Sequence, residues 1–214
     1  MPLWNFLSGT TLPTTHISDI YNLAEPQHGY LTRAQALAAG LKPNALTKMV
    51  QRGVLERLST GVYRLTNFPP FAHGQLLEAS LWPLNGVRGV ISHESALAYY
   101  EISDVSPAKV HITIPVKHRI RRQIPPVLVV HHMDLAEKDV SNIDGITITT
   151  ALRAIRDCHK THLGAAMIRQ AIDDGRRTGW LTSAESAELY SDLLPPEGGK
   201  TTRSSKIETE TAPT

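Results

Sequence analysis

Gly40, Pro43 and Gly53 cut residues 32–65 into pieces so short that only small elements in a fixed order can form. Thr32 and Gln35 have the spacing of a capping box, which predicts a helix from Thr32 that stops at Gly40, a residue able to take the left-handed backbone of a helix end. Pro43 suits the first position of another helix, running to Arg52, and Gly53 closes that one in turn. Upstream, Ile17, Ile20, Tyr21 and Ala24 recur at i, i+3, i+4 and i+7, the period of a first helix with Thr15 as its cap. Downstream, Val54–Leu58 and Val62–Leu65 are β-prone runs joined by Ser59-Thr60-Gly61, a hairpin connection in which glycine supplies positive φ.

The helix after Pro43 divides into two sides, with Leu46, Met49 and Val50 on one and Asn44, Thr47, Lys48 and Gln51 on the other. Amides suit the edge of adenine, and lysine suits guanine or a phosphate oxygen. Any surface helix has a polar face, so the hairpin that follows carries the weight. Helix, helix, turn, helix, hairpin is the order of a winged helix-turn-helix, in which the third helix enters the major groove and the hairpin touches the neighbouring backbone. On that reading Asn44, Thr47, Lys48 and Gln51 face the groove. Lys42, Arg52, Arg57, Thr60 and Arg64 meet the backbone, although Arg57 and Arg64 are also charges of the kind that blunt an exposed strand edge. Residues 1–68 hold six Lys and Arg against three Asp and Glu, while the whole chain is only +2. The positive excess therefore sits where a polyanion would bind.

Asn67-Phe68-Pro69-Pro70 marks a change of chain direction, because residues before proline are pushed toward extended backbone. The sequence thus divides into an arm (1–15), a DNA-binding unit (16–68), a larger domain (69–194) and a tail (195–214). The tail has too little apolar surface to offset its ordering entropy and is expected to be disordered. In the larger part, helices are expected over 73–82, after Ser92 as a cap, over 150–158 and as a pair within 162–193. Strands are expected at 110–114, 127–131 and 145–149. The fold class is α+β, a winged helix-turn-helix followed by a mixed α/β domain. Lys117, Arg119, Arg121 and Arg122 form the densest basic run, which is either a second phosphate-binding patch or a solvated loop.

Several chemistries find no support. Cys158, His159 and His162 supply three metal ligands rather than four, at an expected helix end where the dipole favours histidine, so no metal site is expected. His93-Glu94 begins like a zinc-protease helix, but the second histidine of that motif would fall at Leu97. Ser92, His93 and Ser95 lack a nucleophile turn and an orienting acid. Asp173 and Asp174 beside Arg176 and Arg177 fit a charge-balanced helix end better than a metal-binding carboxylate pair. No glycine-rich phosphate loop is present. No catalytic residue or cofactor is therefore expected. A single cysteine, no apolar run of about 18 residues and no signal-peptide pattern point to a cytoplasmic protein without a membrane span.

Four stretches together resemble the antitoxins of AbiE-type abortive-infection systems, also called type IV toxin-antitoxin systems. They are Gly29-Tyr30-Leu31-Thr32-Arg33, the hairpin strands Gly53–Arg57 and Gly61–Tyr63, the helix start Val90–Leu97, and the strand Val110–Pro115. The resemblance spans roughly residues 16–175. It implies a phage-defence autorepressor that binds inverted repeats in its own promoter through the N-terminal domain, while the C-terminal domain supplies antitoxicity. The implied functional partner is a nucleotidyltransferase-like toxin, with direct contact not required. Inverted repeats imply two copies on double-stranded DNA, from a weak dimer or from monomers pairing on the operator. The alternatives are a stand-alone winged-helix regulator, a protein-interaction module and a nucleic-acid-processing enzyme.

Overall fold

The computed structural model describes residues 14–83 and 86–194. The expected disordered tail at 195–214 and all but the last two residues of the expected arm lie outside the described residues. The N-terminal part runs α1 (Thr14–Ala24), a short 3-10 turn (Glu25–Gln27), β1 (Tyr30–Thr32), α2 (Arg33–Ala38), α3 (Pro43–Gln51), β2 (Leu55–Ser59) and β3 (Val62–Leu65). Thr15 lies inside α1 rather than capping it. Thr32 does cap α2: Gln35 N donates to Thr32 Oγ1 at 3.2 Å and Thr32 N donates to Gln35 Oε1 at 2.7 Å. These reciprocal bonds satisfy two amides that the helix start leaves without partners. The three strands form an antiparallel sheet in the order β1-β3-β2.

The larger part continues with α4 (Gly74–Leu81), β4 (Val90–Ile91), α5 (His93–Tyr99), β5 (Val110–Ile114), β6 (Leu128–His132), β7 (Val140–Ile143), β8 (Ile146–Thr149), α6 (Ala151–Lys160), α7 (Ala165–Thr178) and α8 (Ser183–Leu193). Its sheet has the order β6-β5-β4-β8-β7. β5 pairs with β6 and β4 with β8 in parallel, and the remaining pairs are antiparallel. β5 and β6 are adjacent and parallel, so the chain between them must return to the starting end of the sheet. Residues 115–127, which hold the basic run, make that return. Ser92 occupies the cap position of α5, but its hydroxyl makes no bond to the helix amides. It accepts instead from Thr113 Oγ1 at 2.8 Å.

Two apolar clusters hold the fold. The smaller packs α1, α3 and the hairpin through Ile20, Leu31, Leu46, Met49, Leu55 and Tyr63. The larger packs helices against the five-stranded sheet through Leu77, Ile91, Leu97, Ile112, Ile148 and Ile155, and it also takes in Tyr30 and Val62. Tyr30 stands opposite Arg64 on the neighbouring strand, and Val62 is two residues from Arg64, so all three share one face of the small sheet. That face packs against the rest of the protein, and the larger core therefore crosses the Pro69-Pro70 segment. A second junction lies at the Asp144-Gly145 turn, where both residues have positive φ, 49° and 76°. There His28 Nε2 and the Asp144 carbonyl are 2.9 Å apart. Among the described residues no helix is long and apolar enough to cross a membrane.

Candidate nucleic-acid interface

α3 is short, amphipathic and docked by its apolar side. Leu46 and Met49 are buried and Val50 is half-buried, whereas Asn44, Thr47, Lys48 and Gln51 are all exposed. This is the division the 3.6-residue period requires once Leu46 and Met49 insert between α1 and the hairpin. Lys42 precedes Pro43 in extended backbone, and Arg52 follows the last turn; both are exposed. α3 packs against β2. At the hairpin tip Arg33 N donates to the Gly61 carbonyl at 2.8 Å, which ties the tip to the start of α2. Arg57 and Thr60 are exposed.

Two of the expected backbone contacts are corrected by their surroundings. Arg64 lies on the sheet face that packs inward, so its Nη2 donates to the carbonyls of Phe68 at 2.7 Å and Pro69 at 3.1 Å. Its guanidinium carbon also sits 5.8 Å from the Tyr30 ring centroid. Arg64 therefore fixes the linker and is not free for phosphate. Arg122 is half-buried, with its guanidinium carbon 4.2 Å from the Trp82 ring centroid and Nη1 donating to the Thr60 carbonyl at 3.2 Å. Burial lowers its pKa from the ordinary arginine value. Arg122 is thus an anchor, and what it anchors is the basic return loop to the hairpin tip. Lys117, Arg119 and Arg121 on that loop remain exposed.

The electrostatics of these positions are simple. Among the described residues the ion pairs involve Arg153, Arg156 and Arg177, and none involves Lys42, Lys48, Arg52, Arg57, Lys117, Arg119 or Arg121. Seven exposed cations without a carboxylate partner thus lie on α3, on the hairpin and on a loop hydrogen-bonded to the hairpin. Counterions hold such charges in the free protein and are available for exchange with phosphates.

Residues 18–66 match the family model described as "Transcriptional regulator, AbiEi antitoxin". Over those residues the N-terminal unit resembles the AbiEi antitoxins. The match begins within α1 and ends just past β3, so the AbiEi segment is the three helices with their three-stranded sheet and includes none of the larger sheet. The family is one of transcriptional regulators, a class that acts on DNA. No curated protein matches the chain. Among solved structures the chain is similar to the RV2827C protein from Mycobacterium tuberculosis, with 14% identity and a TM-score of 0.49 over 86% of this chain and 74% of that one.

The remaining sequence candidates are not brought together as sites. Cys158 is fully buried in α6 while His162 is exposed, so Cys158, His159 and His162 do not converge. Burial, with the Glu94 and Asp157 charges nearby, pushes the Cys158 thiol far up from its ordinary range. Asp173 accepts from the Tyr190 hydroxyl at 2.7 Å and Asp174 pairs with Arg177 at 2.8 Å, so the two carboxylates serve different partners. One constellation escaped sequence reasoning: His93, His111 and His131 gather at the junction of α5, β5 and β6.

Proposed function

We propose that residues 16–68 work as a winged helix-turn-helix that binds double-stranded operator DNA with inverted repeats and represses the operon of a type IV toxin-antitoxin system. α3 enters the major groove with Asn44, Thr47, Lys48 and Gln51 toward the bases. Lys42, Arg52, Arg57 and Thr60 hold the backbone, and Lys117, Arg119 and Arg121 extend the contact along the duplex from the return loop. The single observation that carries this reading is the exposed row of α3 lying among seven unpaired cations. Residues 69–194 supply antitoxicity toward a nucleotidyltransferase-like toxin, and the protein itself is not an enzyme.

The test is a gel shift with DNA from the promoter region. Lys48→Ala/Gln51→Ala should lose about 1–3 kcal/mol of discrimination for each base contact removed, with the fold intact by circular dichroism. Unchanged affinity for both operator and random DNA would sink the assignment of α3. Co-expression with the toxin encoded by a neighbouring gene tests the antitoxin role separately.

A further inference from the structure

The five-stranded sheet carries a set of side chains that the regulatory reading leaves unused. His111 lies on β5 and His131 on the edge strand β6. In the parallel register His131 is opposite Thr113, two residues from His111, so His111, Thr113 and His131 share one face. His93, the first residue of α5, comes down over that face and is buried. One ligand nitrogen from each imidazole lies within 4.8 Å of the other two.

We propose that His93, His111 and His131 form a transition-metal site, a three-imidazole set that leaves a fourth position to water and is suited to Zn²⁺. The closest pair sets the scale. His111 Nδ1 and His131 Nε2 are 3.2 Å apart. Two nitrogens about 2.0–2.1 Å from one tetrahedral ion stand roughly 3.3–3.4 Å apart, so this pair already has the spacing of two zinc ligands. The His93 ring stacks on that of His131, with centroids 3.6 Å apart and planes inclined by 14°.

The surroundings favour a ligand role for His93. Its Nδ1 is 2.9 Å from Ser92 Oγ. When Nδ1–H donates to that hydroxyl, Nε2 is left with its lone pair free, which is how ligating histidines are oriented. This also accounts for a serine at a helix cap that does not cap. His93 has φ of 52°, in the left-handed region that costs a non-glycine residue energy, and such strain collects at functional sites. His111 and His131 are only half-buried, and His131 lies on the edge strand, which leaves a route for the ion. An all-nitrogen set, without thiolate or carboxylate, selects zinc, copper or nickel over magnesium or calcium.

The experiment uses the full chain, stripped with a chelator and dialysed, then titrated with Zn²⁺ by calorimetry and with Co²⁺ by visible absorption. The expected result is one ion per chain, tetrahedral Co²⁺ bands, and a raised thermal midpoint with Zn²⁺. His131→Gln and His111→Gln should abolish stoichiometric binding, Ser92→Ala should weaken it about 10-fold or more, and His159→Ala/His162→Ala should leave it intact. No binding by the wild type overturns the proposal. So does binding that survives His111→Gln and His131→Gln, or that disappears in His159→Ala/His162→Ala. Ser92→Ala and the His159 pair lie outside the three ligands, so they keep the result readable if a ligand variant fails to fold.

Discussion

Replacing Lys117, Arg119 and Arg121 together by alanine separates a loop that grips DNA from one that is merely solvated. All three are exposed and unpaired, and Arg122, which holds the loop against Thr60, is left in place. Each cation that neutralises a phosphate contributes about 0.9 to the slope of log K against log salt. If the whole interface neutralises roughly four to six phosphates, the wild-type slope is about −4 to −5, and the triple variant should lose up to about 2.7 of it. Extrapolated from a 1 M reference, three lost contacts at about 0.15 M salt amount to roughly 2 log units, or about 100-fold weaker binding. The two lines should converge as salt approaches 1 M. Fluorescence anisotropy of a labelled promoter duplex, from about 0.05 to 0.4 M salt, reads this directly. Lys48→Ala/Gln51→Ala serves as the contrast, changing the slope by no more than about 0.9 while reducing the preference for operator over random DNA. An unaltered slope in the triple variant would refute the loop's part in the interface. A flat wild-type line would refute DNA binding through these cations altogether.

Three further outcomes test the packing. Arg153 Nε donates to both oxygens of Asp157, a side chain with 0% exposure, and Nη1 pairs with Asp139 at 2.8 Å. Arg153→Ala should therefore cost about 3–5 kcal/mol by stranding a buried carboxylate, a fall on the order of 10 °C in Tm; Arg153→Met/Asp157→Leu should recover most of it, and a loss under about 1 kcal/mol would contradict the burial argument. Gly29 has φ of 86° and a Cβ there would meet Phe68 Cβ at 2.6 Å, whereas at Gly53 a Cβ meets nothing. Urea melts should show Gly29→Ala destabilised by about 2–4 kcal/mol and Gly53→Ala by only about 1–2, and equal losses would remove the clash from the account. With its thiol pushed up by burial, Cys158 should resist Ellman's reagent at pH 8 in the folded protein and react only in denaturant. Prompt reaction of the native protein would mean that α6 is not packed as described.

Where local rules decide a feature, the sequence announces it. The capping pair Thr32 and Gln35, the positive φ of Gly40 and Gly53, and the split of α3 into buried Leu46 and Met49 against exposed Lys48 and Gln51 all follow from spacing within a few residues. β7 was overlooked although Asp144-Gly145 between Ile143 and Ile146 is a hairpin signal, because Val140-Ser141-Asn142 has little β propensity of its own. Arg64 and Arg57 are the same residue type on paired strands but on opposite faces of the small sheet, and only the docking of Tyr30 and Val62 shows that the Arg64 face is covered by the larger part. The three histidines left no local trace at all. They are drawn together by the parallel pairing of β5 with β6, whose register no stretch of chain encodes by itself.

The shared core has a practical consequence for anyone who wishes to dissect this regulator. A fragment severed at Pro69 would carry Tyr30 and Val62 bare to water, and the remainder would lose two plugs from its interior, so neither piece is a faithful stand-in for the intact molecule. Melting either half should drag the other with it in one transition. Any ligand that tightens the distal sheet then stiffens the N-terminal unit as well.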